Sequence, residues 1–198
     1  MKLLRLALAT LLYVAILCGV WVVTVNFLRV DVVFYAAIWS AVAATLILAV
    51  LVWVTPLLRG FSGFEKFQQL MSCVLIGYIM AISVPTVIDR SLSFYILEKI
   101  QQRGGGILHD RFADVFTKEY MHEHRLVDVR LTEQLASGTI EIHNGCVKLT
   151  DKGQQLANAS RYFRSNFLPK QRLLMGQYSS DLVNPFRNSA SVVDYQCQ

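Results

Sequence analysis

The alternation of apolar and polar positions divides the chain near residue 88. Three long uncharged runs come first, at 6–28, 32–58 and 67–88, with 23, 27 and 22 residues. A helix rises about 1.5 Å per residue, so roughly 20 apolar residues cross the hydrocarbon core of a bilayer. Within lipid, only helices and closed barrels satisfy their own backbone. The pattern therefore predicts three transmembrane helices over these runs. Lys2 and Arg5 before an apolar stretch also suit a signal peptide, but the stretch is long for one and no small-residue cleavage site closes it. A retained helix is the expectation.

Beyond Asp89 the periodicity shortens. Ser91 can cap a helix with Leu92, Tyr95, Ile96 and Ile100 on one face, ended by Gly104, Gly105 and Gly106. A second helical pattern follows with Leu108, Phe112, Val115 and Phe116. A third has Val127, Leu131 and Leu135 and stops at Gly138. The pattern then becomes strand-like: Ile140 and Ile142 alternate with polar residues, Asn144-Gly145 marks a hairpin turn, and Val147 and Leu149 alternate on the return. Thr150-Asp151 opens a last helix with Leu156, Ala159, Tyr162 and Phe163 as its apolar positions.

The order helix, helix, helix, hairpin, helix resembles the winged-helix domain. The residues that carry the likeness are LTEQLASGTIEI at the third helix, HNG at the wing turn, and VKLTDKGQQLA leading into the final helix. The expected fold class is a mainly α, integral membrane protein, with three transmembrane helices followed by a small α+β winged-helix-like domain. The boundaries are 1–88 for the membrane domain, 89–172 for the winged-helix-like domain with a basic end, and 173–198 for an extended tail. The resemblance implies a third helix that enters a DNA groove or a module that binds protein.

Charge separates these two implications. Charged residues make up 17% of the chain, against roughly 25% in soluble domains. Only seven of them fall in the first 88 residues. The net charge is +3 over 1–88, −1 over 89–152 and +3 over 153–198. A DNA reader needs uncompensated cations for phosphates. The winged module lacks them, so nucleic acid is not the expected partner. Under the alternative of a membrane-anchored transcription regulator, Arg125, Arg130 and Lys148 would lie against DNA. The basic excess sits at Arg161, Arg164, Lys170 and Arg172, where anionic lipid headgroups are the expected contact.

No Asp, Glu, Lys, Arg or His falls inside a predicted span, which argues against a self-contained pump or proton relay. The third span carries polar residues, and Gln68, Gln69 and Tyr78, with Asp89 and Arg90 at its end, are the candidate contacts for a partner. Pro85 should kink or end it. Small residues at Ala36, Ala37, Ser40, Ala43 and Ala44 favour close helix approach in the second span.

Candidate chemistry is sparse. His122 and His124, with His109 and His143, lack the spacing of a metal set. Gly104–Gly106 lacks the lysine of a phosphate loop. Asn158-Ala159-Ser160 is a glycosylation sequon inside a predicted helix. No catalytic residue, cofactor or metal is assigned. Cysteine usage shows no CxxC, so Cys146 and Cys197 are expected as free thiols. Free thiols suit a reducing compartment, whereas the positive-inside count is tied at four against four. The expectation is a multi-pass protein of a bacterial inner membrane with its second half in the cytosol. Its expected role is a non-enzymatic accessory or regulatory subunit of a larger integral membrane protein, with an envelope or glycan-assembly enzyme as a conceivable partner.

Overall fold

The computed structural model describes residues 2–189. The chain forms two compact units, residues 1–126 and 127–198.

The first unit begins with three long apolar helices: α1 (Lys2–Phe27), α2 (Val33–Val54) and α3 (Gly63–Arg90). Each is long enough to cross a membrane. They lie where the three uncharged runs predict them, with shifted ends. The second run ends early because Pro56 cannot continue the helix, and Pro56–Leu58 forms a short 3-10 turn. The third starts before its uncharged run. Ser62 accepts from the Glu65 N–H while Glu65 accepts from the Ser62 N–H, a capping box that fixes the start at Gly63.

Pro85 does not end α3. Ile82–Thr86 widens into a π-helical turn, and the α-helix resumes at Val87–Arg90. The Ala81 carbonyl, which an ordinary helix would pair with the N–H that Pro85 lacks, accepts from Thr86 Oγ1 at 2.8 Å.

The bundle core joins Ala9, Tyr13 and Leu17 of α1 to Ala41, Ala44, Leu48 and Val52 of α2 and to Cys73 of α3. The predicted small-residue stripe lies at this contact: Ala37, Ser40 and Ala44 are buried. At the start of α1, Lys2 pairs with Glu65 at 2.8 Å and Arg5 donates to the Arg59 carbonyl at 2.8 Å. The α2–α3 connection therefore packs on the first turn of α1.

The same unit continues with α4 (Leu92–Gln102), capped by Ser91, and with a helical stretch over 109–123, here α5, that includes a π-helical turn at Val115–Tyr120. Tyr95, Val115 and Tyr120 form its core, with Ile107, Phe116 and Leu126 packed around them. The predicted apolar faces hold only in part. Leu92 and Leu108 are exposed, and the buried positions of α4 are Tyr95 and Lys99.

Helix α6 (Leu126–Ser137) starts on the last residue of the first unit and otherwise belongs to the second, which continues with an antiparallel hairpin of β1 (Ile140–His143) and β2 (Cys146–Leu149), and α7 (Asp151–Phe167). Ile140 faces Leu149 and Ile142 faces Val147 across the hairpin, and Asn144 and Gly145 both take positive φ at its turn. The segment expected as an extended tail holds a second hairpin, β3 (Arg172–Leu174) with β4 (Gln177–Ser179). Its turn is Met175-Gly176, with φ of 47° and 87°. Methionine is not a usual turn residue, and Gly176 alone marks this turn in the chain.

Candidate functional site

The interior of the membrane bundle is polar at one level. Tyr13 Oη donates to the Ala41 carbonyl at 3.5 Å and accepts from Thr45 Oγ1 at 3.3 Å. Gln69 Nε2 donates to Thr10 Oγ1 at 3.0 Å and to Cys73 Sγ at 3.7 Å. Gly77 stands beside this cluster. A Cβ there would lie 2.3 Å from Tyr13 Oη and 2.8 Å from Ala41 Cβ. These groups hold three helices together.

The candidate partner contacts differ in exposure. Gln69 is buried and bonded within its own bundle, to Thr10 of α1 and to Cys73 one turn on. Gln68 faces outward, with its carbonyl accepting from Ser72 Oγ at 3.0 Å. Tyr78 is half exposed and lines a shallow groove of about 200 Å³ with Ile38, Val42 and Leu46 of α2. Asp89 and Arg90 are exposed at the end of α3.

The most connected polar cluster joins α4 to α5, and its members were not singled out from sequence. Lys99 is only 4% exposed, yet its Nζ pairs with Glu119 at 2.6 Å and with Glu123 at 2.5 Å. Arg103 shares Glu119 at 2.9 Å, and Tyr95 Oη donates to Glu123 at 2.9 Å. The Tyr95 ring also contacts Tyr120 and His124, with centroids 4.6 and 5.2 Å away. A buried charge persists only when it is paired, and Lys99 is paired twice. The two hydrogen bonds raise its pKa above the ordinary 10.5, and hydrogen bonds from Lys99 lower both carboxylates below 4.5. Burial, then the bond to Glu123, pushes Tyr95 up to about 12. The signal was present as spacing: Tyr95, Lys99 and Arg103 recur every fourth residue, as do Glu119 and Glu123.

The histidines do not converge. Among the described residues no three His, Cys, Asp or Glu side chains gather into a metal-ligand set. His124 stacks within the aromatic cluster and His143 lies 3.3 Å from Glu141.

Of the three residues assigned to DNA under the alternative reading, Arg125 belongs to the first unit and Arg130 and Lys148 to the second. Arg130 pairs with Glu133 at 2.8 Å, Lys148 stands opposite Glu141 in the hairpin, and Arg125 takes a positive φ of 43° before α6. The four lipid candidates divide. Arg161 and Arg164 line a cavity between α7 and the segment 183–186. Lys170 donates to the Ser165 carbonyl, and Arg172 is exposed on β3.

One cysteine expectation fails. Cys18 and Cys73 are free thiols, but Cys146 is disulfide-bonded. Cys197 lies outside the described residues. Cys146 therefore lends no support to a cytosolic second half.

No protein-family model, no curated protein and no solved structure matches the chain.

Proposed function

We propose that this protein is a non-enzymatic accessory subunit of a larger membrane complex. The three helices dock on an integral membrane partner, and the second half, with its winged-helix-like order of elements, contacts that partner outside the bilayer. The observation that carries this reading is the apolar surface of the second unit. Val127 of α6, Leu149 of the wing, and Leu156 and Phe163 of α7 are each more than half exposed. Apolar side chains at the periodic positions of three successive elements normally face a core. Here they are free to meet a partner. The ion pair of Arg130 with Glu133 and the position of Lys148 opposite Glu141 further favour protein over DNA.

Cys146 supports an extracytoplasmic second half, because a disulfide persists in an oxidising compartment, and we propose this side in place of the cytosolic expectation. The cations Lys2, Arg5, Arg59 and Lys66 then lie at the cytosolic end of the bundle, as the positive-inside tendency prefers.

The test is recovery of the tagged full chain in mild detergent. A stoichiometric membrane protein should co-purify and be lost from the Leu149→Asp/Leu156→Asp variant, whose bundle remains intact. A chain that runs alone after in-cell crosslinking overturns the reading.

A further inference from the structure

The amphipathic logic of α7 fails on one face. Ala157, Ser160, Arg161, Arg164 and Ser165 recur at i, i+3, i+4, i+7 and i+8, the spacing of a single helix face. Such a face packed on a neighbouring segment would ordinarily be apolar. Here it holds small and cationic residues, and it borders a cavity of about 590 Å³. The opposite wall is Val183, Asn184, Pro185 and Phe186, mostly apolar. The volume lies within the roughly 300–1,000 Å³ of small-molecule sites.

The charge inside this cavity is one-sided. Among the described residues no lining residue is acidic. Among the described residues no carboxylate pairs with Arg161 or Arg164. The nearby acid Asp181 is instead bound to Arg187. Lys170 donates to the carbonyl of Ser165, which brings a third cation to the same end of α7. Two guanidinium groups one helical turn apart suit a tetrahedral oxyanion, because each can present two parallel N–H donors. Ser160, Ser165 and Asn184 add neutral donors around them. Val183, Pro185 and Phe186 would cover an organic body attached to that anion.

We propose that this cavity binds a phosphate ester, with the phosphate on Arg161 and Arg164 and its carbon portion against Pro185 and Phe186. The inference concerns α7 and its facing segment and stands independently of the subunit reading. The same chemistry occurs in the headgroup of an anionic phospholipid and in a free sugar or glycerol phosphate.

The experiment uses the full chain in phosphatidylcholine nanodiscs, titrated with glycerol 3-phosphate by calorimetry. A parallel arm measures retention of phosphatidylglycerol by native mass spectrometry. Saturable binding of glycerol 3-phosphate supports a site for free phosphate esters. Retention of phosphatidylglycerol alone supports a headgroup site. In either case Arg161→Gln/Arg164→Gln should weaken binding at least about tenfold, as expected for losing hydrogen bonds to a charged group. Ala157→Leu, which fills the cavity and leaves the charge unchanged, should do the same. Arg172→Gln should have no effect. Absence of binding in both arms overturns the proposal. So does binding indifferent to Ala157→Leu, or equally weakened by Arg172→Gln, since either result reduces the site to diffuse surface charge.

Discussion

Gly77 is the residue on which the bundle closes. Glycine in a helix costs stability relative to alanine, and here that cost has a geometric reason. The space a methyl would take is already held by Tyr13 Oη of α1 and Ala41 Cβ of α2. Tyr13 can swing a little, but Ala41 Cβ sits on a backbone inside the second helix and cannot. Gly77→Val should therefore lower the stability of the bundle by about 1–3 kcal/mol, the range for overpacked interiors. Unfolding in mixed detergent micelles measures it. Tyr13→Phe removes the closer clash and should recover part of the loss from Gly77→Ala, so the two changes should be non-additive. Full additivity would show that Gly77 is not packed where the geometry puts it.

At the scale of elements, the junction of α4 with α5 rests on charge. Glu119 and Glu123 are held below 4.5 by their bonds to Lys99. Their contribution is present above pH 4.5 and is lost as pH falls through their lowered values. Lys99 is raised above 10.5 and Tyr95 is raised from 10.0 to about 12, so their contribution is complete below pH 10 and is lost at higher pH. Thermal midpoints of the full chain in detergent should thus form a plateau between about pH 5 and 10 and fall on both sides. Glu119→Gln/Glu123→Gln should lower the plateau and flatten its acid limb. An unchanged acid limb would exclude this network as the source. The same junction shows why the sequence was only partly legible. Apolar spacing located α4 and α5, but it placed Leu92 and Leu108 inward and overlooked Lys99, because hydropathy alone cannot see that two carboxylates on another element complete a lysine. Local hydrogen-bond signals read better. The LTDKG motif works as a corner: Thr150 accepts from the Gly153 N–H at 3.1 Å and donates to the Gly138 carbonyl at 2.8 Å, and Gly153 lacks a Cβ because Thr139 O would stand 2.0 Å from it. The candidate sites were less legible than the elements. Arg161 and Arg164 stood out as a charge excess, whereas the cavity beside them depends on segment 183–186, which carries no periodic signal.

For the whole molecule, if all three long apolar helices cross the membrane, the N-terminal end and the second half lie on opposite sides, so one observation on either side would orient both. Counting basic residues alone left the orientation tied. The three-dimensional arrangement gives those residues different weights. Lys2, Arg5, Arg59 and Lys66 gather where α1 begins and α2 meets α3, with Lys66 over the Trp53 ring at 5.5 Å and Lys2 over the Phe61 ring at 5.3 Å. Lys99 and Arg103 are instead neutralised by Glu119 and Glu123. Clustered cations at one end of a bundle suit a cytosolic end under the positive-inside tendency. A disulfide at Cys146 suits an oxidising compartment, so both support the orientation proposed above. Intact cells treated with a membrane-impermeant maleimide should therefore leave Cys146 unlabelled. Pretreatment with an impermeant phosphine reductant should expose it to the same reagent without lysis. Labelling that appears only after the membrane is opened would return the second half to the cytosol, and with it the proposed partner surface of α6, the β1–β2 hairpin and α7.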